Sequence, residues 1–339
     1  MPAGFLVKLH PTGPWRIGHD SGARDRVGFV YHSDALFSAV TQAMLRLGHL
    51  EDWLAATAQN AAGPAVSFSS CFPFHRDTLL VTPPNHLWPP PPSPKLRYKG
   101  ARFIPLSLAS ALVAGLPIEE DRWILDGPSE CLLPIGKGPG FGPFRAALRS
   151  RAAVDRLEPG RIDAHSTACL EFAEGAGLWF AAAFFDDAAR DRWAAPVRAA
   201  LRLLADSGFG GERSLGWGHC EMPEIVLGNL PALVLSAPPA AETAESAYWL
   251  LSLFAPSVSD SVDWTRGSYS LLARSGRFES PGQWGALKPS ASLVAEGSVL
   301  IASSEPRGAA HNIAPPHFPH PVFRSGFALS IPIPWRGNA

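Results

Sequence analysis

The segment 208–218 constrains the fold of this 339-residue chain more than any other stretch. It reads Gly-Phe-Gly-Gly-Glu-Arg-Ser-Leu-Gly-Trp-Gly and follows a predicted amphipathic helix, residues 188–207, while residues 219–227 alternate like a strand. Glycine is favoured where the backbone needs a positive φ or a close approach without a Cβ. The segment therefore predicts a backbone cradle for an anionic polymer; the structural alternative is a helix C-cap at Gly208 and a bulged turn. A P-loop is excluded, because that loop precedes a helix and contains lysine.

The composition favours strands, turns and long loops over a helical bundle. The chain contains 34 prolines and 31 glycines, and only 17% of its residues are charged. Proline and glycine interrupt helices and are typical of turns. A length of 339 residues predicts two domains of ordinary size, each with its own core.

Charge and cysteine content exclude several classes of protein. A formal net charge of −1 argues against a free-standing nucleic-acid binder, but it permits a subunit whose basic residues share one surface. The four cysteines are far apart in sequence and predict neither a disulfide framework nor a structural zinc site. Because the sequence has no signal peptide and no run of about 18 apolar residues, we expect a cytoplasmic protein with no membrane contact, no metal and no other cofactor.

Two spans without acidic residues predict local basic patches. The first follows a proline-rich stretch at 82–94 and contains Lys95, Arg97, Lys99 and Arg102. The second, residues 134–154, begins with a glycine-rich run and contains Lys137, Arg145, Arg149 and Arg151. A solvated surface without a ligand is the alternative for both spans.

The order of predicted elements is typical of an α+β fold. Residues 4–10 alternate like a strand, and residues 166–185 predict two more strands. Ser33 predicts the N-cap of a helix that ends at Gly48. In the helix 188–207 we expect a buried side made of Trp193, Val197, Leu201 and Leu204. This order is compatible with a split βαβ, ferredoxin-like sheet.

The glycine loop is similar to the signature of the RAMP superfamily of CRISPR proteins. Five further segments, in this order, resemble one RAMP family, the fourth Csm subunit of type III-A effector complexes. They are His-Ser-Asp-Ala-Leu-Phe-Ser-Ala at 32–39, Lys-Leu-Arg-Tyr-Lys-Gly-Ala-Arg-Phe-Ile-Pro-Leu at 95–106, Val-Asp-Arg at 154–156, Tyr-Ser-Leu-Leu-Ala-Arg-Ser-Gly at 269–276 and Ala-Glu-Gly-Ser at 295–298. The resemblance covers most of the chain, from Phe5 to about Leu300.

The resemblance implies two tandem ferredoxin-like (RRM-like) domains with antiparallel sheets and long loop insertions. We expect them at 1–235 and 246–339, joined by a Pro/Ala-rich linker at 236–245. It also implies a non-catalytic subunit of the Csm complex that binds the crRNA 5′ handle. Its partners would be the large polymerase/cyclase subunit, the backbone RAMP subunit and, in the assembled complex, target RNA. The family's hairpin-like thumb is expected in 134–151, with 82–94 as the rival.

The expected RNA-binding residues fall into four groups. They are the glycines that shape the cradle, Gly208, Gly210, Gly211, Gly216 and Gly218; the phosphate-binding pair Arg213 and Ser214; a second basic group of Arg145, Arg149 and Arg156; and His32 at the first helix. Phe209 and Trp217 are expected to stack on bases of single-stranded RNA.

Two other functions stay open on the sequence. The first is a RAMP-type crRNA-processing endoribonuclease whose general base would be His32, with His10 and His19 as further candidates. Those enzymes carry the glycine loop near the C-terminus, whereas residues 219–339 follow it in this chain. The second is a RAMP-like packing subunit that makes no contact with RNA.

Overall fold

The computed structural model describes residues 3–18, 22–91, 98–135, 142–154, 162–235, 246–276 and 288–335. Within these ranges the α-helices are α1 (Ser33–Arg46), α2 (Leu50–Ala56), α3 (Leu106–Ala114) and α4 (Asp187–Ser207). The strands of the first 235 residues are β1 (Ala3–Leu9), β2 (Val66–Phe68), β3 (Phe72–His75), β4 (Thr78–Val81), β5 (Ile104–Pro105), β6 (Trp123–Asp126), β7 (Cys131–Pro134), β8 (Phe144–Val154), β9 (Ile162–Phe172), β10 (Ala176–Phe184) and β11 (Glu224–Asn229). The strands beyond residue 245 are β12 (Ser246–Leu250), β13 (Leu271–Arg274), β14 (Ala291–Val294), β15 (Val299–Ile301), β16 (Ala310–Asn312), β17 (Phe323–Ser325) and β18 (Ser330–Pro334).

A seven-stranded antiparallel sheet forms the centre of the N-terminal part. Its order is β11-β1-β10-β3-β4-β5, and β2 pairs with β10 beside β3. Strand β1 lies between two partners, so that Val7 is opposite Phe180 on one side and Ile225 on the other. The strand predicted at 4–10 is confirmed as β1, and the mixed α and β content with antiparallel pairing agrees with the predicted fold class.

Both faces of the two central strands are buried. Successive side chains of a strand point to opposite faces, yet Phe5, Leu6 and Val7 of β1 are all buried, as are Trp179 and Phe180 of β10. An open RRM sheet binds RNA by stacking bases on exposed aromatic side chains. The aromatic residues of these strands instead belong to the core, so the central sheet offers no exposed aromatic platform of this kind.

Helix α4 follows the prediction made for residues 188–207. Asp186 is the N-cap of the helix, and its side chain accepts a hydrogen bond from the Ala189 N–H at 2.7 Å. The four residues predicted to face the core, Trp193, Val197, Leu201 and Leu204, are buried. The apolar spacing of this helix was therefore sufficient to predict its packing.

The predicted N-cap of α1 is wrong. His32 occupies the N-cap position, and Ser33 is the first helical residue. The Ser33 hydroxyl accepts a hydrogen bond from the Leu253 N–H at 3.0 Å, while the Ser33 N–H donates to Ser70 Oγ at 2.8 Å. A long-range contact therefore uses the hydroxyl that a local cap would have used.

A two-stranded ribbon, β8 with β9, contains residues 144–154 of the second acid-free span. The two strands predicted within 166–185 exist, but they do not pair with each other. Strand β9 pairs with β8 along the full 11 residues of each, whereas β10 enters the main sheet. The strand expected at 219–227 begins later, at Glu224.

The C-terminal part is made of small antiparallel sheets. These are β15-β12-β18, β13-β14 and β16-β17. The described residues between 246 and 335 contain no α-helix, whereas a ferredoxin-like fold needs two, so the second ferredoxin-like domain is not confirmed. Trp249 and Ile331 belong to the same hydrophobic core as Phe5, and Phe37 of α1 meets Phe327 edge to face at 5.4 Å. The two parts thus share one core, and the predicted linker 236–245 lies outside the described residues.

A buried polar junction joins the start of α1 to the C-terminal strands. Asp34 binds Arg274 of β13 at 3.1 Å and Arg324 of β17 at 2.9 Å, and all three side chains are buried or nearly so. His32 Nδ1 lies 2.7 Å from a carboxylate oxygen of Glu296, which also accepts a hydrogen bond from Ser70. Three segments that carry the RAMP resemblance, 32–39, 269–276 and 295–298, therefore meet in space.

This junction makes the stability of the protein sensitive to acid. Burial on its own would raise the pKa of Asp34 and Glu296, but the arginines beside Asp34, and His32 and Ser70 beside Glu296, outweigh it and lower both pKa values. In acid the unfolded chain then binds more protons than the folded one, so stability is present above about pH 4 and is lost as the pH falls below it. Denaturant unfolding at a series of pH values measures this loss. Glu296→Gln should start less stable and show a shallower acid dependence; an identical slope in both proteins would contradict the prediction.

In the ranges described here, no helix is long and apolar enough to cross a membrane.

Candidate nucleic-acid interface

The glycine loop is shaped by close backbone approaches. Gly208 is the C-cap of α4, as the structural alternative predicted, and its N–H donates to the Leu204 carbonyl at 2.8 Å. Gly218 has φ +75°, and a Cβ on it would lie closer than 3.0 Å to backbone atoms of Phe209. Gly210 has φ +73°, and a Cβ there would lie closer than 3.0 Å to the Arg16 carbonyl oxygen. These glycines therefore hold the loop against neighbouring backbone in one conformation.

The aromatic residues of the loop are anchors. Phe209 is 0% exposed and stacks on Trp15 with ring centroids 5.3 Å apart. Trp217 is 6% exposed, and the Arg151 guanidinium lies 5.1 Å from its ring centroid. The prediction that Phe209 and Trp217 stack on RNA bases is wrong, because both rings are already covered by protein. Burying a large aromatic side chain stabilises the fold through the apolar area removed from water, and these two rings are used in that way.

The outer side of the loop is a single turn next to a basic depression. Residues Arg213–Leu215 form a 3₁₀ turn in which Ser214 is exposed and Arg213 is half-buried. The depression has a volume of about 530 Å³. It is lined by Arg46, Ser207, Gly210, Gly211, Glu212, Arg213 and Ser214. Two arginines and the Ser214 hydroxyl thus surround this opening together with Glu212, and they supply donors of the kind that bind a phosphate, whereas the Ser207 hydroxyl donates to the Leu203 carbonyl.

Arg46 is a site residue that the sequence did not reveal. It lies in the last turn of α1 and is exposed. A cation is favourable at this helix end, where the backbone carbonyls point outward. Because Arg46 lies at the end of an apolar helix far from the glycine loop in sequence, no local pattern indicates that it lines the depression.

The arginines of the ribbon lie on one face. Arg145 and Arg149 both bind Glu171 of β9, the former at 3.0 Å. Hydrogen bonding from Arg145, with the charge of Arg149, lowers the pKa of Glu171 below its ordinary value, despite the opposing effect of burial. One carboxylate facing two guanidinium groups leaves this face with excess positive charge.

Arg151 connects the ribbon to the glycine loop. It lies on the same face as Arg145 and Arg149 because side chains alternate along β8. Its guanidinium is 3.7 Å from the carboxylate of Glu212 and also covers Trp217. At about 3.3 Å per residue, the ribbon extends the basic surface by about 20 Å from Arg151 to Arg145. The sequence placed Arg151 in a basic span but not in the site; Arg156 lies outside the described residues.

His32 is not among the residues that line the depression. Its side chain is 14% exposed and is held by Glu296 inside the polar junction. Of the other candidate general bases, His10 lies 3.0 Å from Glu224, and His19 lies outside the described residues. Neither His32 nor His10 is therefore among the residues that line the depression.

The proline-rich stretch 82–91 packs on the body of the protein. The Asn85 N–H donates to the Gly297 carbonyl at 2.8 Å, and His86 stacks on Trp335 at 5.0 Å. The described part of the segment named as the rival thumb, 82–94, thus contacts the C-terminal strands and residues beside them, and the position of the thumb stays a prediction.

Comparison with known proteins connects this fold to CRISPR effector subunits. Residues 243–333 match the family model of the CRISPR Csm4 C-terminal domain. A chain of the crystal structure of the Csm3-Csm4 subcomplex in the type III-A CRISPR-Cas interference complex has the same fold, with a TM-score of 0.65 and 16% identity over 98% of this chain and 99% of that chain. A chain of the crystal structure of the Csm1-Csm4 cassette in complex with pppApA gives 0.58 and 18% over 98% of each chain. A search of curated protein sequences found no match.

These likenesses show that the chain shares its fold with a chain of each of these two CRISPR structures. The similarity to Csm4 at the sequence level lies in the C-terminal part, where residues 243–333 match the model of the CRISPR Csm4 C-terminal domain.

Proposed function

We propose that this chain is a non-catalytic RNA-binding subunit of a Csm complex, and that it holds the crRNA 5′ handle on the glycine loop and the ribbon. The observation that carries the proposal is the basic depression between Arg46 and Arg213, which continues through Arg151 onto the face of Arg145 and Arg149. Arginine binds phosphate through paired N–H groups. An RNA strand along this surface is held through its backbone, largely independently of its sequence.

The burial of the central sheet supports this location. Phe5, Trp179 and Phe180 are inaccessible to bases, so a bound strand would lie on another surface, and the glycine loop with the ribbon offers one that is rich in arginine. The exposed Ser214 adds a hydroxyl donor next to Arg213.

The position of His32 supports a non-catalytic role. A general base must reach the proton that it removes, within about 3 Å of its nitrogen or through one water. In this chain the Nδ1 atom of His32 is 2.7 Å from Glu296 and the side chain is mostly buried. Because a carboxylate on Nδ1 leaves Nε2 as the nitrogen that could act as a base, burial is the deciding feature: a side chain only 14% exposed favours a structural role at the junction over catalysis in an endoribonuclease.

The partners follow from the solved relatives. Those structures contain Csm1 with Csm4, and Csm3 with Csm4. We propose that this chain likewise binds the large polymerase/cyclase subunit and the backbone RAMP subunit, and that target RNA reaches it in the assembled complex.

A tagged pull-down from the native host, with bound RNA sequenced and bound proteins identified together, tests this function. Small RNAs that share one 5′ handle, recovered with a large polymerase-like subunit, are the expected result. Recovery of the protein alone with unprocessed repeat RNA that shortens with time would overturn the proposal and favour a processing nuclease.

Arg213→Ala should weaken RNA binding by a similar factor for every RNA sequence, because the side chain is assigned to phosphate. It should also lower the slope of log affinity against log salt by about one, because one fewer phosphate is neutralised. Fluorescence anisotropy with labelled single-stranded RNAs across a salt series measures both quantities.

Arg190→Ala is the matched control, since it removes an equal charge from α4, where Arg190 binds Asp187 and Asp191. If Arg213→Ala and Arg190→Ala both bind like the wild type, the assignment of Arg213 is wrong.

A further inference from the structure

The segment 14–18 lies between the ribbon and the glycine loop and is bonded to both. On one side the Trp15 N–H donates to the Leu170 carbonyl at 3.0 Å, and the Leu170 N–H donates back at 2.8 Å. On the other side the Gly211 N–H donates to the Arg16 carbonyl at 3.0 Å. The two basic regions of the proposed RNA surface are thus connected through a single stretch of backbone.

The side chain of Arg16 strengthens the same connection. Its Nη1 atom donates to the carbonyl of Ala168 in β9 at 2.8 Å and to the carbonyl of Arg24 at 3.0 Å. Its Nη2 atom lies 3.3 Å from the Ala23 carbonyl. A planar guanidinium with donors on several edges can bind three carbonyls at once, which an ammonium group on a flexible stem does poorly.

The glycine loop is pressed against Arg16. Gly210 and Gly211 both face it, and a Cβ on Gly210 would lie closer than 3.0 Å to the Arg16 carbonyl oxygen. The residue that follows them, Glu212, has φ +61°. A non-glycine residue keeps this conformation only where its surroundings determine it. A shift of Arg16 therefore moves the residues that precede Arg213.

We propose that Arg16 is a positioning residue for RNA binding: it fixes the glycine loop, with Arg213, relative to the ribbon, with Arg145 and Arg149. This inference rests on the proposed function of that surface. Arg16 acts through Arg213 and the ribbon, because its guanidinium is committed to backbone carbonyls and is half-buried. Burial lowers the pKa of Arg16, an effect that the nearby Glu212 opposes.

The experiment combines Arg16→Ala, Arg16→Lys and Arg213→Ala in the full-length chain. Binding of a labelled single-stranded RNA of mixed sequence is measured by anisotropy across a salt series, and thermal unfolding is recorded for each variant. We expect Arg16→Ala to weaken binding about tenfold, equivalent to about 1.4 kcal/mol, because the phosphate contact of Arg213 depends on the position of the loop. Arg16→Lys, which keeps the charge and most of the volume, should fold like the wild type and recover only part of the affinity.

The double variant distinguishes positioning from general destabilisation. Once Arg213 is absent, Arg16→Ala should cost less than it does in the wild type, so the combined loss is smaller than the product of the two. Arg307→Ala is the control, because Arg307 also donates to a carbonyl, that of Ala62 at 2.9 Å, and packs on Phe185. It should leave RNA binding unchanged.

Three results would overturn the inference. They are wild-type affinity in Arg16→Ala, wild-type affinity in Arg16→Lys, which would show that only the charge matters, or a loss that simply multiplies with that of Arg213→Ala. If Arg213→Ala weakens binding and Arg16→Ala does not, only this inference fails. If the wild-type chain retains no RNA at any salt concentration, the proposed function fails together with it.

Discussion

Asp34→Ala is expected to lower the free energy of unfolding by about 3–5 kcal/mol, the range typical of removing one partner from a buried ion pair. Asp34 is 6% exposed and is the shared partner of Arg274 and Arg324, of which Arg324 is 5% exposed. Removing the carboxylate leaves the guanidinium groups of Arg274 and Arg324 in the interior without their shared counter-ion. The packing of α1 against the strands beyond residue 245 is the part of the fold that is weakened, because both arginines belong to those strands.

Urea denaturation followed by circular dichroism measures this change, with Asp52→Ala as the matched control. Asp52 pairs with Arg192 at 3.1 Å, but both side chains are well exposed. Exposed pairs contribute less than about 1 kcal/mol. Equal losses in the two variants would show that the buried junction stabilises the fold no more than a surface pair does.

Gly218→Ala is expected to destabilise the protein by about 2–5 kcal/mol, combining the penalty for a Cβ at positive φ with overpacking against backbone. The obstacle is the backbone of Phe209, whose side chain is fully buried, so it cannot easily move aside. The variant should also bind RNA more weakly, because the turn that carries Arg213 is held between Gly208-Phe209 on one side and Trp217-Gly218 on the other.

Gly216→Ala is the comparison within the same loop. Gly216 has φ +77°, almost the same as Gly218, but a Cβ on it meets nothing within 4 Å. Only the backbone penalty of about 1–2 kcal/mol applies there. The difference between the variants in thermal unfolding isolates the close approach to Phe209; no difference would mean that the loop adjusts freely and is not a fixed cradle.

The sequence predicted what local patterns determine. The apolar spacing in α4 identified its buried face, and the alternation in β1 identified a strand, but not its central position in the sheet. It also singled out the segments 32–39, 269–276 and 295–298, though not that His32 meets Glu296 or that Asp34 meets Arg274. Those pairings depend on how distant strands are ordered, and no local pattern contains that information.

In the candidate site, too, local patterns were predictable and long-range contacts were not. Glycine spacing located the loop and charge located the ribbon, but Arg46 and Arg151 join them only through tertiary contacts. Phe209 and Trp217 were misassigned because an aromatic residue between glycines looks exposed in a sequence. In the fold the glycines let neighbouring backbone segments approach each other closely, and the rings of Phe209 and Trp217 are buried.

The buried junction also governs the order in which this chain can fold during synthesis. Asp34 and Arg324 are separated by 290 residues, and His32 and Glu296 by 264. Contacts of such long range form late and slow the folding of a chain. Helix α1 leaves the ribosome early, but burying Asp34 before its cations exist would bury an uncompensated charge. The nascent chain therefore has to keep the start of its first helix in water until residue 324 has been added.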